Sequence, residues 1–107
     1  MTFDDVRALA LSHPGMEEYT CHGTQAFRVA KRLIARLRED GETLVLKIGY
    51  EERDALLEAE PEKFFTTDHY RGYPHVLVRL PLVKKAELKP LMLHAWRQQA
   101  PKKLLNA

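Results

Sequence analysis

The chain predicts an α+β fold: a single two-layer domain spanning residues 1–107, in the order α-β-β-β-α-β-β-α, with a largely antiparallel sheet and helices packed on one face. Three observations carry that expectation. Between Gln25 and Ile48, and again from Val76 to Leu80, apolar residues alternate with basic ones. Side chains alternate faces along a strand, so this pattern builds a sheet with one apolar and one basic face. At both ends of the chain, apolar residues recur instead at helical spacing. A length of 107 residues suits one hydrophobic core and is short for two.

Each element has a local reason. Thr2 can cap a first helix whose positive first turn receives Asp4 and Asp5. Phe3, Val6, Leu9 and Ala10 form its apolar stripe, and Ser12-His13-Pro14-Gly15 ends it. Met16 to Thr24 reads as a loop with a short extended piece near Tyr19. Strands are expected at Ala26–Val29, Leu33–Arg38 and Thr43–Ile48, joined at Ala30-Lys31 and Asp40-Gly41 by turns short enough for hairpins.

In the second strand Leu33, Ala35 and Leu37 share one parity and Arg32, Arg36 and Arg38 the other, with Ile34 as an exception. In the third, Leu44, Leu46 and Ile48 leave Lys47 opposite. Glu51 to Ala59 reads as a helix burying Leu56 and Ala59, interrupted by Pro61, after which Phe64-Phe65 dock on the core. Thr66–Tyr70 and Val76–Leu80 are the next candidate strands, turning around Gly72-Tyr73-Pro74. A last helix from Ala86 to Gln99 buries Leu88, Leu91, Met92, Ala95 and Trp96. Pro90 fits it only near a helix start or a kink, because its ring clashes with the carbonyl four residues back.

Charge is distributed unevenly. The net charge is +2 overall, but residues 1–25 carry −3, 26–50 carry +3, 51–62 carry −5 and 63–107 carry +7. This predicts a basic face and an acidic face. No apolar run approaches the roughly 18 residues of a membrane span. The acidic start Met1-Thr2-Phe3-Asp4-Asp5 is unlike a signal peptide, and Cys21 is the one cysteine, so the expected location is cytoplasmic, with no membrane partner.

Catalytic chemistry finds little support in the motifs. Cys21 beside His22 resembles a nucleophile with its base, yet neighbours in extended chain point to opposite sides. Cys21, His22, His69 and His75 do not follow zinc-ligand spacing, and the glycines are scattered singly rather than grouped as a phosphate loop. An enzyme would need a pocket gathering those four residues. The expectation is therefore a non-enzymatic protein without metal or cofactor. The segment Asp68–His75 interleaves aromatic and basic groups, which suits either packing of a turn or stacking on bases.

The basic parity is the leading candidate site. Arg28, Arg36, Arg38, Lys47 and Arg79, with Arg71 on the hairpin tip, would contact the phosphate backbone of DNA with low sequence specificity. Few acids share that parity, which favours this over a merely solvated face. On this reading Arg36 and Lys47 are exposed. The alternative is a protein-interaction module that presents a sheet edge or the acidic helix to a protein partner. Nothing in the pattern sets an oligomeric state.

The run Gly23-Thr24-Gln25-Ala26-Phe27-Arg28-Val29-Ala30-Lys31-Arg32-Leu33-Ile34-Ala35 resembles the signature of the MmcQ/YjbR-like family. Leu46-Lys47-Ile48, Pro61-Glu62-Lys63-Phe64-Phe65, Val76-Leu77-Val78-Arg79-Leu80 and Ala95-Trp96-Arg97 match it in the same order. The resemblance implies a CyaY-like α+β fold, Phe27 in the core, Arg28 and Lys47 as characteristic basic positions, and DNA binding through a double-wing arrangement of hairpins. Two positions depart from the family pattern. Cys21-His22 stand where a proline and an aromatic are usual, and Tyr73-Pro74-His75 where a tryptophan opens the last strand. Both lie in loops, so the resemblance implies no particular partner specificity.

Overall fold

Six strands form one antiparallel sheet in the order β1-β2-β3-β4-β6-β5 in a computed structural model that describes residues 1–106. Helix α1 (Phe3–Leu11) starts where expected: the Thr2 hydroxyl accepts from the Asp5 amide at 3.3 Å, while the Asp5 carboxylate accepts from the Thr2 amide at 2.9 Å. That reciprocal box satisfies two donors a helix start leaves free.

The segment expected as a loop is instead strand β1 (Met16–Cys21), paired along its whole length with β2 (Thr24–Val29). Its alternation shows no apolar parity because it is an edge strand and only Met16 is buried. Cross-strand charges tie it down: Glu17 meets Arg28, and Glu18 reaches Arg7 on α1, each at 2.7 Å. The turns on either side of β2 hold two left-handed residues each, His22-Gly23 (φ 51° and 82°) and Ala30-Lys31 (φ 50° and 65°). Two-residue hairpin loops of this hand match the twist of the flanking strands.

Strand β3 (Arg32–Leu37) corrects the parity reading. Phe27 faces Ala35 and Arg28 faces Leu33, so the register skips Ile34, a β-bulge. The extra residue flips the parity before it. Leu33 therefore lies with Arg28 and Arg36, whereas Arg32 turns to the helix side, where its guanidinium donates to the Gln99 carbonyl at 3.4 Å. The apparent exception in the alternation was the bulge itself.

Strand β4 (Thr43–Lys47) follows, then helix α2 (Tyr50–Ala59). Ala59, expected to face inward, is exposed; Leu56 and Leu57 are half-buried, and the buried residue of this helix is Arg53. No strand forms at Thr66–Tyr70; Phe64–Phe65, expected only to dock on the core, pair instead as β5, leaving residues 66–74 as a long turn before β6 (His75–Arg79).

After a 3₁₀ turn (Leu80–Leu82), helix α3 (Lys85–Gln99) carries Pro90 six residues in, where the Ala86 carbonyl forgoes its usual donor. An unexpected short helix α4 (Lys102–Leu105) closes the chain. The order is thus α-β-β-β-β-α-β-β-α-α. The helices lie on one side of the sheet, and Phe27, Leu46 and Val78 form the core with Val6 of α1 and Met92 of α3. Trp96 seals its rim, its indole donating to the Pro14 carbonyl at 2.9 Å.

Candidate functional site

The sheet face away from the core helices carries Arg28, Leu33, Arg36, Val45, Lys47, His75, Leu77 and Arg79, as the strand registers require. Five of the six expected basic positions belong to the strands or strand ends of this sheet, and Arg71 lies in the 66–74 turn. They do not form one bare stripe. Arg28 bonds Glu17 and lies 4.3 Å over the Tyr19 ring. Arg71 is mostly exposed and sits 3.4 Å from Asp68. The carboxylates that seemed scarce come from β1 and from the turns.

Arg36 departs furthest from expectation. It is buried, its guanidinium donating to the Cys21 carbonyl at 3.3 Å and pairing with Glu39. The bonds hold the β1–β2 hairpin end against β3, so Arg36 is a structural tie rather than an exposed contact. Glu39 is held below the usual carboxylate range, chiefly by a backbone amide and then by Arg36. Among the described residues, no carboxylate lies within ion-pair distance of Arg38, Lys47 or Arg79. Arg79 is exposed, and its guanidinium lies 4.0 Å over the Phe65 ring.

The centre of this face is not open. Ala26, Val45 and Leu77 belong to it and are all but inaccessible. The 66–74 turn folds towards it, bringing Tyr70 and Tyr73 each to 5.7 Å from the His75 ring. Arg53 on α2 holds that turn: its guanidinium donates to the carbonyls of Arg71 and Tyr73 at 2.9 and 2.8 Å. The Tyr50 hydroxyl donates to Gly72 at 2.7 Å, and the amides of Ile48 and Gly49 both donate to Pro74. Arg53 has a sequence signal, as the only cation in the acidic 51–62 segment, but its role in holding the turn was not foreseen.

Between the turn and the sheet lies a pocket of about 240 Å³. Cys21 and His22 from the β1–β2 turn and Leu33 and Arg36 from β3 form one side. The other side is His69, Tyr70, Tyr73 and His75. The four residues an enzyme reading asked for are therefore gathered. His22 faces the pocket beside Cys21 because its left-handed backbone breaks the extended geometry that would have separated them. No group of three metal-ligating residues is close enough to hold an ion among the described residues.

Burial, with the Lys47 ammonium opposite as the lesser cause, pushes the His75 imidazole down to about 4. Its Nδ1 is buried without a hydrogen-bond partner. Among the described residues no helix is long and apolar enough to cross a membrane.

Comparison with known proteins places these features in context. Residues 11–98 match the model of the YjbR family. Rv2570 of Mycobacterium tuberculosis and Mb2600 of Mycobacterium bovis, both described as uncharacterized proteins, are each 33% identical over 124 residues, covering 99% of this chain and 94% of theirs. The crystal structure of Deinococcus radiodurans protein DR2400, assigned to the domain DUF419, is similar with a TM-score of 0.73 and 26% identity, over 89% of this chain and 75% of that one.

Proposed function

The chain belongs to the YjbR family, and from that premise we propose that it binds DNA through the sheet face opposite the core helices, without a cofactor. The observation that carries this reading is the set Arg38, Lys47 and Arg79, three cations at that face with no carboxylate in ion-pair reach among the described residues. Arg28 and Arg71 join them. Their ion pairs are surface pairs, typically worth ~0–1 kcal/mol, which a phosphate can displace. Arg36 takes no direct part, because it is buried and held by the Cys21 carbonyl and Glu39. Contacts of this kind position a nucleic acid and do not read its sequence.

Replacing Lys47 and Arg79 together by glutamate tests the reading. Both side chains can change without emptying the core, so circular dichroism and the unfolding midpoint should hold while DNA binding is lost. Unchanged affinity would contradict the assignment.

A second reading, an enzyme, draws on the pocket that gathers Cys21, His22, His69 and His75. It ranks behind the first because no carboxylate lines the pocket to orient a histidine beside a nucleophile.

A further inference from the structure

We propose that the pocket between the β1–β2 turn and the 66–74 turn receives one unstacked nucleobase, so that the protein prefers single-stranded DNA to duplex. This inference rests on the reading of the sheet face as a DNA surface and assigns the pocket a role within it. Size, wall chemistry and charge each point to that occupant.

The volume of about 240 Å³ lies below the ~300–1,000 Å³ of pockets for drug-sized ligands, and suits a single planar ring system. One wall is built of rings. Tyr73 and His75 stack 5.7 Å apart with planes 26° from parallel, and Tyr70 meets both edge-on. Tyr73 is 50% exposed, so part of its ring is free to take a base. Leu33, opposite, adds an apolar surface that the bulge at Ile34 delivers to this side.

The charge around the pocket fits a nucleotide rather than a neutral ring alone. Its lining has no carboxylate, and its one guanidinium, that of Arg36, is already paired with Glu39. Leu33 is the register partner of Arg28 and His75 that of Lys47, so cations flank the pocket on two sides. These cations lie on β2 and β4, two inter-strand spacings or roughly 10 Å apart across the sheet. A base in the pocket would place its adjoining phosphates between them. In a duplex each base stays paired and stacked, and only the phosphate contacts remain available.

The experiment compares a fluorescein-labelled single-stranded deoxyoligonucleotide with the duplex of the same length, using the full chain and two variants. Tyr73→Ala removes the exposed ring and leaves the backbone carbonyl that Arg53 holds. Leu33→Trp fills the pocket instead. Wild type should bind the single strand at least fivefold tighter, the low end of what stacking on an aromatic residue contributes. Both variants should lower single-strand affinity to the duplex level while duplex affinity stays unchanged. Equal binding of the two forms by wild type, or parallel loss of both in the variants, overturns the base pocket and leaves the phosphate surface standing. Failure of wild type to bind either form overturns both.

Discussion

Arg53 ties Tyr73 to helix α2, its guanidinium donating to the Tyr73 carbonyl at 2.8 Å from a buried position. The same nitrogen reaches the Arg71 carbonyl, so one side chain fixes the turn that forms half of the pocket. Hydrogen bonds to charged groups contribute roughly 1.5–3 kcal/mol, and carbonyls left unpaired incur a desolvation penalty. Arg53→Met should therefore cost about 2 kcal/mol in urea unfolding. Hydrogen exchange of the Tyr70 and Tyr73 amides, which close the turn internally, should quicken in the variant.

Arg36 and Lys47 share a sheet face and differ in burial, so their substitutions should separate. Arg36→Glu sets a carboxylate against the Cys21 carbonyl and Glu39, a buried unpaired charge that costs about 3 kcal/mol or more. Lys47, expected to be exposed, is half-buried but has no ion pair to lose among the described residues. Lys47→Glu should therefore cost only about 0.5 kcal/mol. Thermal unfolding of the two single variants checks this. A variant combining them would confound binding with folding.

The depressed His75 titration implies a pH dependence with a definite sign. Unfolded, the imidazole takes up its proton near pH 6.5; folded, only near 4. Between those values the unfolded chain binds more protons, so stability rises with pH there. The contribution is complete above about 6.5 and lost as pH falls towards 4. His13, lowered by burial and then by Arg97, acts in the same direction. His75→Phe keeps a ring against Tyr73 and should flatten the stability profile between pH 4 and 6.5, measured by urea unfolding against wild type. An unchanged slope would contradict the burial argument.

Ala30 and Lys31 both adopt left-handed backbone, which costs an L-residue about 1–2 kcal/mol. Asparagine and glycine are the residues this turn favours. Ala30→Asn with Lys31→Gly should raise the unfolding midpoint, with a gain of about 1 kcal/mol and unchanged DNA binding.

Local features were legible in the sequence where one residue type has one job. Thr2 with Asp5 announced the first cap, and the Leu88–Trp96 spacing announced α3. The strand β1 was hidden because Glu17, Glu18 and Thr20 owe their place to pairing along an edge rather than to burial. Ile34 was visible as an irregularity, but only the register reveals that it reverses the faces of Arg32 and Leu33. The pocket was least legible. It depends on β6 pairing with β4, and on a buried cation from α2 holding the turn between them, both long-range relations that no local pattern encodes. Parity anticipated where the basic residues lie on and around the sheet, but neither the burial of Arg36 nor the counter-charges from β1 and the turns.

The salt dependence of DNA binding tests the central claim most directly. Fluorescence anisotropy with a labelled duplex, titrated from 50 to 200 mM salt, gives the slope of log affinity against log salt concentration. About five phosphate contacts, one each from Arg28, Arg38, Lys47, Arg71 and Arg79, predict a slope near −4.5 and a roughly 500-fold loss over that range. Lys47→Ala should make the slope shallower by about 0.9, the share of one phosphate. Binding that ignores salt, or a slope that Lys47→Ala leaves unchanged, would contradict a phosphate-binding face on this sheet.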